Sequence, residues 1–326
     1  MILMMGFIFL ILALSFTLIF YFRNFALQKS IIDIPNERSS HEQPTPRGGG
    51  VVFVGIFYVL LSILWLMHQI KANIFYAFLG GIPVALVGYC DDVNGVKIYW
   101  RFLVHLVSSM WCVAMLGLMH SFFWIVPVVL IVWFINFYNF MDGIDGIAAT
   151  QAIYVTAVAG VMLFLNNHIG LSVLCFGLFA ALIGFLYWNW QPAKIFMGDV
   201  GSGFLGFFFG TLMFSTAVQY KIPVIFWFIL MAIFLCDAGC TLLYRILKKK
   251  KWYMAHREHL YQRMVQSGWE HSQVTLLVVV INVFILLPSA LFFLNLQDVV
   301  GKMLLSALLI VMIAASWIFA HRKFPV

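Results

Sequence analysis

The chain reads as an all-α, polytopic membrane protein, and three observations say so. Hydrophobic residues make up 64% of the 326 residues and charged residues only 10%, against roughly 45–50% and about 25% in soluble domains. Apolar runs recur along the whole chain, each close to the ~20 residues that a helix needs to cross a hydrocarbon core. The cations fall almost entirely in alternate gaps between those runs. With a mean hydropathy of +1.01, a soluble fold would leave a large apolar remainder in water. The same composition excludes disorder, collagen, a coiled coil and a disulfide scaffold.

About eleven transmembrane helices are predicted, at 2–22, 51–67, 74–90, 102–119, 122–139, 147–165, 171–187, 203–218, 224–243, 274–294 and 303–320. The first has no positive n-region and its first cation, Arg23, follows it, so it reads as a retained helix rather than a cleaved signal peptide. Only Lys71, Lys221 and Lys302 fall in one set of connecting loops, and the other sixteen of the 19 Lys and Arg fall in the opposite set. The positive-inside rule then places the N-terminus outside and the C-terminus in the cytoplasm. Most carboxylates share the cytoplasmic side although that rule does not sort them; Asp237 lies in the inner half of its helix, and Asp298 alone is outside. The chemistry is therefore expected at the cytoplasmic face of a single transmembrane catalytic domain, 1–326. The net charge of +7 resides in these short loops, which marks topology and not nucleic-acid binding. The five cysteines contain no CxxC pair and read as small membrane hydrophobes.

Five cytoplasmic loops carry the candidate chemistry. Loop one (23–50) ends His41-Glu42-Gln43-Pro44-Thr45-Pro46-Arg47-Gly48-Gly49-Gly50, stiffened by proline and open to close backbone approach at the glycines. Loop two (91–101) begins with Asp91-Asp92 at a helix C-terminus, where two acids oppose the helix dipole and each other, so that a divalent cation, or Lys97 and Arg101, must compensate. Loop three (139–146) carries Asn139, Asp142 and Asp145 three residues apart, on one face if the segment is helical; Asp145 also reads as an N-cap of the sixth helix. Loop four (188–203) brings Asn189 and Phe196 and then Gly198-Asp199-Val200-Gly201-Ser202. A glycine-rich turn opening a helix offers N–H groups to phosphate, and Asp199 inside it calls for a hard cation between the two anions. Loop five (244–273) holds the Lys248–Lys251 run, read mainly as an anchor to anionic lipid. It continues with His256-Arg257-Glu258-His259, where a helix would align His256, His259 and Arg263 into one cationic stripe. Zinc held by the two histidines is the weaker reading, since no thiol partner accompanies them. Together the loops point to an anionic, phosphorylated cytoplasmic substrate, with a lipid as the second.

These motifs, in this order, resemble the polyprenyl-phosphate N-acetylhexosamine-1-phosphate transferases. The likeness rests on His41-Glu42-Gln43-Pro44-Thr45-Pro46 with Gly49-Gly50, on Asp91-Asp92, on Asn139 to Gly146 as an NxxDGxDG segment, and on Pro192 to Ser202 as PAxxFMGDxGS. It covers essentially the whole chain. The resemblance implies Mg²⁺-dependent (alternatively Mn²⁺-dependent) transfer of a sugar-1-phosphate from a UDP-N-acetylhexosamine to undecaprenyl phosphate, with release of UMP, in the bacterial inner (plasma) membrane, and it allows a homodimer. By matching position, Asp199 holds the metal with support from Asp92, and Asp91 engages the lipid phosphate as base or by positioning. Asp142 and Asp145 are essential acids, with Asp145 near the nucleotide. Asn189 and Phe196 lie near the uracil, and the histidine motif (His256, Arg257, His259, Arg263) meets the diphosphate. Many members carry a histidine where Glu258 stands. This version resembles the O-antigen-initiating subgroup thought to use 6-deoxy sugars such as FucNAc or QuiNAc, which sets those beside GlcNAc as candidate sugars. A secondary transporter is the rival of another class, but its binding groups would sit at the bilayer midplane, where only Asp237 lies within a predicted span.

Overall fold

A computed structural model describes residues 2–35, 40, 43–251 and 256–324. In chain order the elements are α1 (Ile2–Gln28), β1 (Ile32–Asp33), β2 (Thr45–Pro46), α2 (Gly50–Leu66), α3 (Ala72–Leu79), α4 (Gly81–Asn94), α5 (Ile98–Met115), α6 (Ile125–Phe140) and α7 (Ile147–Leu165). They continue with α8 (Ile169–Asn189), α9 (Asp199–Tyr220), α10 (Val224–Leu230), α11 (Ala232–Leu247), α12 (Leu260–Gln266), α13 (His271–Ile281), α14 (Leu287–Asn295) and α15 (Val299–Lys323). The protein is an all-α polytopic membrane protein, as the apolar runs predict.

Eight helices among the described residues are long and apolar enough to cross a membrane, and the pair α10–α11, bent by 81° at Met231, makes a ninth if it counts as one broken span. The other two expected spans appear as the shorter apolar helices α2 and α6. Helix α9 is the centre of the bundle: 94% of its most apolar stretch is buried, against 11% in α1 and in α15. It packs on α2, α4 and α6. Phe204, Phe207, Phe208 and Phe209 of α9 are fully or almost fully buried. Phe57 of α2 meets Phe204 and Phe208 edge-on, at ring separations of 5.1 and 5.4 Å, the arrangement that aromatic quadrupoles favour.

One buried network joins the bend at Met231 to a π-helical turn further along the chain. At Met231 the chain turns, and the Leu230 carbonyl accepts a hydrogen bond from Gln151 Nε2 of α7 at 3.0 Å. Gln151 Oε1 in turn accepts from Asn282 Nδ2 at 2.7 Å, at the start of a π-helical turn, Asn282–Leu286, that precedes α14. Such partners are what non-helical backbone needs inside an apolar medium.

Candidate active site

The site is assembled where loops one to four meet the first turn of α9. Loop one lies along loop four as a backbone ladder. Phe196 donates its N–H to Pro46 O at 2.8 Å, Gly49 donates to Phe196 O at 3.0 Å and Gly50 to Met197 O at 2.9 Å. His41 lies outside the described residues.

Asp91 and Asp92 stand in the last turn of α4, as expected, and point to different partners. Asp92 is 3% exposed, and its carboxylate accepts the N–H of Asp199 at 3.0 Å and of Val200 at 3.2 Å. Two adjacent acids at a helix C-terminus are tolerated because one of them faces the positive end of another helix. This arrangement corrects the expectation for loop four. Gly201 and Ser202 donate to Gly198 O at 3.0 and 3.1 Å, so the first four N–H groups of α9 are all engaged and the turn does not hold them open for phosphate. The anion seated at this helix end is Asp92 itself. Both Asp92 oxygens accept an N–H of α9, while Asp91 shares the Arg101 guanidinium with Asp199. Two glycines allow the approach. A Cβ at Gly88 would stand 2.5 Å from the Asp199 carbonyl, and Gly198, at φ +76°, lies directly against the Asp92 carboxylate.

Arg101 supplies the positive charge that the acidic pair requires. Its two terminal nitrogens reach Asp91 Oδ2 at 2.6 Å and Asp199 Oδ2 at 2.7 Å, and Val96 N–H donates to Asp91 Oδ1 at 2.6 Å. Lys97 has no part in this bridge. It is exposed, with its ammonium 6.0 Å from the Tyr99 ring centroid. Asn139 at the end of α6 donates from Nδ2 to Asp199 Oδ1 and to Ser202 Oγ, both at 2.9 Å.

Loop three is a turn and not a helical extension, so Asn139, Asp142 and Asp145 do not share a face. Asp142 stays by Asn139, donating its N–H to Asn139 O at 3.2 Å. Burial, reinforced by the charges of Asp199, Asp92 and Asp145, pushes the Asp142 carboxyl up to about 8. Asp145 turns away to tie three segments together. It accepts from Ala193 N at 3.0 Å, faces His271 Nδ1 at 3.4 Å, and its carbonyl accepts from Thr275 at 3.2 Å. It does not cap α7, whose N-cap position is Gly146. Asn189 is 4% exposed and is likewise engaged, accepting from Gly146 N at 3.1 Å and donating to Ile195 O at 3.0 Å. Phe196 is half-buried, and its backbone carries the ladder to loop one.

Loop five departs most from expectation. His259 is the N-cap residue of α12 rather than a position inside a helix, so no stripe of His256, His259 and Arg263 forms. The His256 and His259 rings are 4.8 Å apart. Burial, then the neighbouring His259 and Arg245 charges, bring His256 down to about 4, and burial lowers His259 despite the opposing charge of Asp237. Burial thus works against a cationic imidazole at both positions. Arg263 points to the chain's end, donating from Nε to Phe324 O at 2.8 Å and lying against His321. The Arg257 carbonyl accepts from Gln266 Nε2 at 2.9 Å. Glu258 pairs with Arg245 at 2.5 Å and Lys250 at 3.0 Å, so one member of the lysine run is a tie within the protein. The loop reaches loop three through Tyr261, whose hydroxyl donates to Phe140 O at 2.9 Å.

Among the described residues, no group of three or more His, Cys, Asp and Glu side chains is arranged to hold a metal. The donors at Asp91, Asp199, Asn139 and Ser202 are all hard oxygen or amide groups with no thiol. Two carboxylates spanned by one cation fit Mg²⁺, which is usually bound through one or two carboxylates plus substrate phosphate. Sequence reasoning missed His271 and Tyr261 as members of this assembly and did not choose Arg101 over Lys97. Both cations follow the acidic pair within ten residues, and nothing in that spacing marks the one that turns inward.

This architecture defines a membrane-embedded enzyme with a cluster of carboxylates at the ends of its helices. The Glycosyl transferase family 4 profile matches residues 74–217, which take in Asp91, Asp92, Asn139, Asp142, Asp145 and Asp199. The chain is 27% identical over 290 residues to the "Probable undecaprenyl-phosphate N-acetylglucosaminyl 1-phosphate transferase" of Bacillus subtilis (strain 168), covering 82% of this chain and 79% of the relative. It is 25% identical over 288 residues to the "Undecaprenyl-phosphate alpha-N-acetylglucosaminyl 1-phosphate transferase" of Yersinia pestis, covering 81% and 77%. It is 26% identical over 280 residues to the "Phospho-N-acetylmuramoyl-pentapeptide-transferase" of Clostridium kluyveri, covering 76% and 84%. Residues 74–217 match glycosyl transferase family 4, and these likenesses support an enzyme of the polyprenyl-phosphate N-acetylhexosamine-1-phosphate transferase type.

Proposed function

We propose that the protein transfers an N-acetylhexosamine-1-phosphate from a UDP-sugar to undecaprenyl phosphate at the cytoplasmic face of the bacterial inner membrane, with Mg²⁺ as cofactor. A phosphate oxygen of the lipid forms the new bond to the sugar-bearing phosphorus, the bond from that phosphorus to the bridging oxygen breaks, and UMP leaves with the electron pair. The observation that carries this reading is the Asp91–Arg101–Asp199 bridge. Two carboxylates from different helices are held ready around one positive charge, which suits a reaction in which two anions must meet. Asp199 and Asp91 would hold the ion, which when bound would neutralise the diphosphate and stabilise the departing UMP. Asp92 keeps the start of α9 in place, and Asn139 fixes the Asp199 carboxylate. Arg101 is then free to turn one N–H edge of its guanidinium to a phosphate oxygen. A phosphate monoester is largely dianionic near neutrality, with a second pKa of about 6, so Asp91 serves better by positioning than as a base.

The segregation of sixteen cations from three supports the cytoplasmic orientation and eleven spans; initiation of a lipid-linked surface polysaccharide such as O-antigen is the role that the motif resemblance implies. The relatives' names favour GlcNAc as the sugar, and Glu258 in the histidine motif favours a 6-deoxy sugar, FucNAc or QuiNAc. The test is UMP release by the purified protein given undecaprenyl phosphate, Mg²⁺ and each UDP-N-acetylhexosamine in turn. Release with one donor identifies the sugar. No release with any of them rejects the proposal.

A further inference from the structure

Helix α11 carries Asp237, Thr241 and Arg245 four residues apart, all buried, at 5%, 0% and 6% exposure. Spacing of four puts them on one helix face. Ionisable residues inside a membrane helix are costly and usually serve a function. The face meets loop five. Asp237 accepts the N–H of Leu260 at 2.8 Å and of Tyr261 at 3.2 Å, the Thr241 hydroxyl at 3.1 Å and the Trp317 indole N–H of α15 at 3.2 Å. Two turns along, Arg245 takes Glu258 at 2.5 Å and the Lys251 carbonyl at 2.9 Å. His259 lies between these anchors, 4% exposed, with Nδ1 4.0 Å from Asp237 Oδ1 and without a hydrogen-bond partner.

We propose that Asp237 is a positioning residue: from within α11 it holds the first turn of α12 and, through it, sets the His259 imidazole against loop three. The contacts of the same turn give the direction. Tyr261 reaches Phe140 O, Gln262 Nε2 lies 3.2 Å from where a Cβ of Gly143 would be, and the His259 ring is 6.1 Å from that of Phe140. A neutral Asn or Ser could close a helix N-terminus with less desolvation cost. A full carboxylate beside a buried imidazole can also orient the ring, as acids behind functional histidines do. The activity readout of this inference rests on the transferase reading.

The test compares Asp237→Asn, His259→Ala and the double variant in the full chain, by steady-state UMP release and by amide hydrogen exchange. Asp237→Asn is expected to lower kcat about tenfold or more while KM for both substrates changes less than about threefold. The double variant is expected to be no worse than His259→Ala, since residues acting as one unit are not additive. Leu260 and Tyr261 are expected to lose exchange protection in Asp237→Asn. A kcat within about twofold of wild type, or losses that simply add, would overturn the proposal. Should Asp237→Asn not accumulate folded, Trp317→Phe, which deletes one donor to the same carboxylate, carries the same double-variant comparison. If the unaltered protein releases no UMP, the transferase reading fails by itself; exchange then decides the clamp, protection lost in Asp237→Asn supporting it and protection kept overturning it.

Discussion

Asp92 accepts the backbone N–H of Asp199 at 3.0 Å, so the last turn of α4 caps the first turn of α9 and the two acids divide the work. Asp92 holds the helix end, while Asp199 presents its carboxylate to Arg101 and Asn139. Asp199→Asn is expected to abolish turnover, by about 10²-fold or more, with the thermal midpoint close to wild type. Asp92→Asn can accept only one of the two N–H groups and is expected to cost about 1–2 kcal/mol of stability as a lost cap, along with activity. Thermal unfolding beside UMP release separates them; full activity of Asp199→Asn across a Mg²⁺ titration would remove that residue from the metal.

Asp142 gives the site a pH signature. Its carboxyl ionises near 8 in the folded protein against an ordinary 3.8, so the folded state binds the extra proton between those values. Its contribution to stability is full below about pH 4 and is lost as pH rises through about 8. Asp142→Asn, permanently neutral, is expected to flatten that decline and raise the melting temperature at pH 8 relative to wild type. Parallel melting curves from pH 5 to 8.5 would contradict the assignment.

Gly88 is the closest approach of α4 to α9. A methyl group there would meet the Asp199 carbonyl at 2.5 Å and Val200 N at 2.6 Å, atoms of backbone that cannot rotate aside. Gly88→Ala is expected to destabilise by about 1–3 kcal/mol, as overpacking does, and to cut activity by shifting Asp199 and Arg101 apart. Unchanged stability and rate would show that the two helices can separate without consequence.

Lys250 differs from its neighbours in the lysine run. Hydrogen bonding to Lys250 and the Arg245 charge hold the partly desolvated Glu258 carboxyl below its ordinary range, so this tie stabilises the protein above that range and weakens as pH falls through the lowered value. Lys250→Gln is expected to reduce kcat several-fold, about what one partly exposed ion pair contributes, whereas Lys248→Gln and Lys249→Gln leave it unchanged. Equal effects of all three on activity would return the run to a surface anchor throughout.

Much of this protein is legible in one dimension. Apolar runs dictate membrane helices because the bilayer leaves the backbone few alternatives, and among the described residues eight helices, or nine with the pair bent at Met231, are long and apolar enough to cross a membrane. The motifs around Asp91, Asp142 and Asp199 were legible because carboxylates, small residues and cations stand together in compact segments between apolar runs. Three dimensions decided the pairing. Whether Lys97 or Arg101 turns inward depends on a helix that begins between them, at Ile98. That the first N–H groups of α9 are closed by Asp92 depends on α4 lying against α9 across more than a hundred residues of chain. The stripe expected of His256, His259 and Arg263 failed because α12 starts at Leu260, where Asp237 of another helix caps it. Local composition determines where a helix can form and which connecting segments hold charge. Which acid caps, which binds and which cation stands between them are settled only when distant segments compete for the same few hydrogen bonds.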